Sequence, residues 1–165
     1  MLPVLLENIL FLWQGLLLLH VLELPLDQFC LELPQNFSLF RNKKGEYHTP
    51  DTINISGKLG LSIKAFDKRQ GSNNIYQPHR IEVFIDEKLH HAIQFDRLDY
   101  NWRTTANFIK DYRNARLNFG NFIKLYRNET DPMVPIHADS TNGILDLTPG
   151  YHDIKILVMD ALKNT

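Results

Sequence analysis

Residues 80–95, RIEVFIDEKLHHAIQF, constrain the fold more tightly than any other stretch of this chain. Ile81, Val83 and Ile85 alternate with Arg80, Glu82 and Asp86. A period of two puts the apolar set on one side of an extended strand and the polar set on the other. Asp86-Glu87-Lys88 then breaks the pattern, and beyond it Leu89, His91, Ile93 and Phe95 share one side of a second run. Two alternating runs joined by a short polar break predict a β-hairpin.

The same grammar extends along the chain. Candidate strands are 21–26, 37–40, 52–55, 59–65, 80–85 and 89–95, then 122–126, 144–147 and 152–159. In the last of these Ile154, Ile156 and Val158 alternate with Asp153, Lys155 and Leu157. Gly45, Gly57, the Gly71-Ser72-Asn73-Asn74 run, Asn142-Gly143 and Pro149-Gly150 fall between runs, where turns need unusual or fixed φ. No segment after residue 26 sustains a 3.6-residue period, although Thr104–Arg116 has room for a helical turn or two. Many short strands without alternating helices predict an all-β, antiparallel sandwich, and 165 residues suffice for one domain with a sizeable core.

The first 20 residues are expected to stand apart from a domain spanning 21–165. Ile9–Leu19 is almost wholly apolar, but Glu7 precedes it and no Lys or Arg does, against the charge pattern of a signal peptide. The run is too short to span a bilayer as a helix. A short apolar helix or a degenerate signal or anchor is the expectation, and membrane contact is expected only if it is an anchor. Formal net charge is −1, so no general attraction to nucleic acid is expected. The single cysteine, Cys30, excludes an internal disulfide and a cysteine-rich zinc site.

Catalytic signatures are sparse. His90 and His91 are adjacent on an expected strand, so their side chains leave opposite faces unless a bulge intervenes. His137 and Asp139 form a two-residue near-match to a metal pair with no third ligand indicated. Cys30 lacks a nucleophile context, and there is no G-x-S-x-G elbow or phosphate-binding glycine loop. Asp67, Asp86, Asp111 and Asp160 fall near strand ends, where Asp ordinarily caps turns but can also ligate calcium. Sequons at Asn36, Asn54 and Asn128 matter only in a eukaryotic secretory pathway.

One regional bias stands out. Residues 95–127 hold eight of the 18 aromatics, interleaved with Arg97, Arg103, Lys110, Arg113, Arg116, Lys124 and Arg127. Tyr100, Trp102 and Arg103, in a stretch of weak strand periodicity, are the candidate ligand-binding residues. Aromatic faces stack on sugars, and arginine pairs with carboxylates. Packing of these aromatics at the ends of the sandwich is the competing reading.

Two blocks carry a family resemblance. The first, residues 57–96, has Gly57-x-x-Gly60, an apolar strand, Ala65-x-Asp67, a Gly/Asn loop, then strand, Asp86 turn and strand. The second runs from Asp111-Tyr112 through 122–126 to Pro149-Gly150-Tyr151-His152 and Asp160-Ala161. Together they resemble the β-sandwich module that accompanies the catalytic domain in some bacterial lysostaphin-type zinc metallopeptidases, which cleave peptide cross-links in peptidoglycan. The resemblance implies an immunoglobulin-like sandwich and an extracytoplasmic, cell-envelope location. It also implies peptidoglycan or a neighbouring peptidase domain as partner. That family binds zinc through H-x-x-x-D and H-x-H pairs, and this chain has neither: His48-Thr49-Pro50-Asp51 is one residue too short. A non-catalytic accessory module with no metal or cofactor is therefore expected, the alternative being a free-standing carbohydrate-binding or adhesion sandwich. The ending Asp160-Ala161-Leu162-Lys163-Asn164 resembles the D-x-x-G-N turn that closes many bacterial immunoglobulin-like strands, with Lys163 for Gly, so a longer protein is expected to continue beyond it.

Overall fold

A computed structural model describes residues 4–12, 18–24, 35–44, 46–49, 52–55, 57–68, 75–95, 109–116, 121–127 and 142–161. Its elements begin with β1 (Val4–Leu12), β2 (Leu18–Leu24), β3 (Gln35–Ser38), β4 (Phe40–Arg41), β5 (Glu46–His48) and β6 (Ile53–Ile55). Next come β7 (Lys58–Lys64), β8 (Asp67–Lys68), β9 (Ile75–Tyr76), β10 (Arg80–Ile85) and β11 (Lys88–Gln94). The short helix α1 (Tyr112–Arg116), β12 (Ile123–Lys124) and β13 (Gly150–Met159) follow. The described residues are mostly strand, as the alternation predicts. The helical turn allowed within 104–116 falls at its end.

The alternating runs build the core. β10 opposes β13 antiparallel, pairing Ile81 with Val158, Val83 with Ile156 and Ile85 with Ile154. All six are buried, and directly opposed β-branched side chains pack well across a pleat. Each such side chain taken from water contributes about 1.5–3 kcal/mol.

On the other edge of β10 the pairing with β11 runs Ile81–Ile93 and Val83–His91, then shifts so that Phe84 faces Leu89. His90 is the extra residue of a β-bulge. An odd insertion swaps the faces of everything beyond it. Leu89, expected on the core side with Ile93, is therefore 51% exposed and level with Phe84, a correction to the simple period-two reading.

The larger sheet has seven strands in the order β11-β10-β13-β1-β5-β4, with β6 also paired to β1. Two expectations are corrected here. The apolar opening is extended rather than helical: β1 runs from Val4 to Leu12 and β2 from Leu18 to Leu24. And β1 pairs with β13 in parallel, Val4 with Gly150 through Leu12 with Leu157, within a sheet otherwise antiparallel. A strand paired on both edges can carry a nearly continuous apolar run, which periodicity cannot separate from a helix. The direction in which β1 pairs is set by the tertiary strand order, which local pattern does not carry. No helix among the described residues is long and apolar enough to cross a membrane.

A second sheet, β12-β7-β2-β3, is antiparallel throughout, and β8-β9 form a separate ribbon. β7 contributes Leu59, Leu61 and Ile63, each at most 1% exposed. These join Ile123, Leu125 and Leu145 and the apolar rows of β10, β11 and β13 in one hydrophobic cluster. The strand expected over 144–147 reduces to a bridge, with Leu59 and Leu145 exchanging N–H···O bonds of 2.9 Å each way.

Candidate functional site

Tyr100, Trp102 and Arg103 lie outside the described residues, as do Phe108 and Phe119. The described part of the aromatic and basic region divides cleanly. Phe122 is 1% exposed, Tyr126 6%, and Phe95 packs against the core, so these aromatics are structural. Tyr112 is 51% exposed, and Lys110 and Arg116 are exposed with it.

That solvent-facing trio is firmly held. Ile109 and Asp111 are buried on either side of Lys110. The Asp111 N–H donates to the Phe122 carbonyl at 3.0 Å, and Lys110 bridges to Ile123. The Ala115 N–H closes α1 by donating to the Asp111 carbonyl at 3.2 Å. A phenol flanked by two cations on a fixed backbone can offer an apolar face to a sugar ring and charge-assisted hydrogen bonds to a carboxylate.

Tyr126 is clamped rather than available. Its ring lies over Gly60 so closely that a Cβ added there would sit 2.6 Å from Cε1, while the Lys124 ammonium stands 5.5 Å from the ring centroid. Gly60→Ala is therefore expected to lower stability by about 1–3 kcal/mol through overpacking. Combining it with Tyr126→Leu should restore part of the loss in a double-mutant cycle by thermal melting. Simple additivity of the two would contradict the stacking.

Three of the described histidines are drawn into structure. With His90 bulged, both neighbouring rings meet one segment. His90 Nε2 lies 3.2 Å from the Ile144 carbonyl oxygen, and a Cβ on Gly143 would sit 2.8 Å from His91 Cδ2. His91 is 1% exposed. His48 Nε2 lies 2.7 Å from Asn42 Nδ2, whose amide also donates to Glu46 at 2.8 Å, binding together the β4–β5 hairpin. His137 and Asp139 lie outside the described residues. Among the described residues no three His, Cys, Asp or Glu side chains are placed to share a metal ion. Of the four aspartates near strand ends, Asp86 is tied across to β13: its Oδ1 accepts the Asp153 N–H at 3.0 Å.

Sequence reasoning missed the joining of Asp86 to His152 across the sheet. The two are far apart in the chain, and no local spacing signals such a pair. Comparison of the chain with family models, with curated proteins and with solved structures gives no match.

Proposed function

We propose that this chain is a non-catalytic, immunoglobulin-like β-sandwich module of a cell-envelope peptidoglycan metallopeptidase, one that contacts the wall and positions a neighbouring catalytic domain. The observation that carries the reading is how the two resembling blocks interlock. β7 and β12, one from each block, share a sheet, while β10 and β13, again one from each, share the other. An immunoglobulin fold has this logic: the second strand pairs with the fifth, and the third with the sixth, on opposite sheets. Core residues from both blocks belong to one cluster, which supports treating residues 57–161 as a single unit.

Contact with the wall is assigned to Tyr100, Trp102 and Arg103, with the exposed Lys110, Tyr112 and Arg116 as further candidates. Peptidoglycan offers sugar faces and stem-peptide carboxylates, the two chemistries that aromatics and arginines recognise. An extracytoplasmic location follows from that partner.

The test pairs two measurements on Trp102→Ala: melting temperature, and co-sedimentation with insoluble peptidoglycan. Lost binding with an unchanged melting temperature is the expected result. A large drop in stability would make Trp102 an inward plug. Failure of the parent chain to sediment would remove the wall-contact reading altogether.

A further inference from the structure

One histidine holds the tip of the β10–β11 hairpin to the start of β13. His152 Nδ1 lies 2.8 Å from Asp86 Oδ2, and its Nε2 lies 2.8 Å from the carbonyl oxygen of Thr148. A carboxylate and a carbonyl only accept hydrogen bonds, so a ring bonded to both must donate from both nitrogens and is an imidazolium. The second oxygen of the same carboxylate accepts the Asp153 N–H, and the Asp86 N–H donates to the Asp153 carbonyl at 2.9 Å. The turn needs this support. Asp86 and Glu87 have φ of 47° and 67°, left-handed values that Asp tolerates and Glu resists.

We propose that Asp86, His152 and the Thr148 carbonyl form a proton-operated clamp, closed while His152 is an imidazolium and open once the ring is neutral, when the 146–149 loop is released from the hairpin tip. A neutral ring can donate to only one of its two acceptors, so loss of the proton breaks one of the two bonds.

The direction of the pH dependence follows from both partners. The hydrogen bond to Asp86 raises the His152 pKa above its ordinary 6.5, the Thr148 carbonyl adds to this, and burial opposes it. The hydrogen bond from His152 lowers Asp86 below its ordinary 3.8, helped by the Asp153 N–H. The histidine's contribution is complete below 6.5 and lost as pH rises through its raised folded value. The aspartate's contribution is present above 3.8 and lost as pH falls through its lowered folded value. The clamp is closed across the interval between those values.

Other charges around it are accounted for. Glu87 and Lys88 sit exposed in the turn, Lys88 helping to lower Asp86. Asp153 is exposed on the same strand as His152. Asp146, in the loop, pairs with Lys58 at 3.7 Å. On the neighbouring strand Glu7 stands at the register position opposite Asp153.

The test uses the full chain. Ring nitrogen shifts of His152 are followed by NMR from pH 4 to 9, with exchange of the Asp153 N–H corrected for its intrinsic pH dependence. A titration midpoint above 6.5 is expected, with protection of the Asp153 N–H falling as the ring deprotonates. Asp86→Asn should return the midpoint to the ordinary value or below, and speed Asp153 exchange at pH 6 about tenfold. If that variant does not fold, the titration of the parent decides alone. A parent midpoint at or below 6.5, or Asp153 protection equal on both sides of it, overturns the clamp.

Discussion

Gly143→Ala is expected to be the most damaging small substitution in the described chain. Gly143 has φ +69°, where an alanine costs roughly 1–2 kcal/mol through its own Cβ. The added carbon would also lie 2.2 Å from the Leu125 carbonyl oxygen, 2.8 Å from His91 Cδ2 and 3.0 Å from the Tyr126 Cα. Two of those three are backbone atoms of a buried segment, so relief requires the 142–145 segment to separate from 125–126. Strain and overpacking together should cost about 2–5 kcal/mol. In a domain of this size that lowers the melting temperature by roughly 5–15 °C. Gly57→Ala is the internal control. Its φ is +85° but nothing lies within 4 Å of the added Cβ, so only the backbone strain applies. Equal losses for the two glycines would mean that the close approach at Gly143 contributes nothing.

Ile93→Ala should cost about 2–4 kcal/mol, because it removes a side chain 1% exposed and leaves a cavity among close-packed neighbours. Ile81→Ala, directly opposite on β10, should cost the same. Leu89→Ala, four residues earlier on the same strand, should cost less than about 1 kcal/mol, since that leucine is half exposed. Urea titration of the three variants reads this directly. Without the bulge, Leu89 and Ile93 would share a face and behave alike. Similar losses at both positions would therefore remove the bulge and restore the simple alternation.

That contrast marks the limit of what the sequence discloses. The rows Ile81-Val83-Ile85 and Ile154-Ile156-Val158 are legible because one face of each strand is buried and the other wet, and burial follows the alternation residue by residue. The bulge is not legible, because an inserted residue changes parity without changing composition. Nor is the β1 strand, where apolar residues at nearly every position carry no period. The site follows the same rule. Local density singles out Tyr100, Trp102 and Arg103, which lie outside the described residues, while Lys110, Tyr112 and Arg116 from the same stretch are exposed. Phe122 and Tyr126, from the same dense stretch, are buried instead, since residue type alone does not separate an aromatic that plugs a core from one that binds. The pairing of Asp86 with His152 depends on the order of strands in the sheet, which only the tertiary structure supplies.

The proposed role, holding the wall without cutting it, is open to one direct measurement. Purified chain, incubated with insoluble peptidoglycan in the presence of zinc, should appear in the pellet while mass spectrometry of the supernatant finds no released fragments. Chelator-sensitive fragments that persist through rigorous purification, or a chain left wholly in the supernatant, would contradict it.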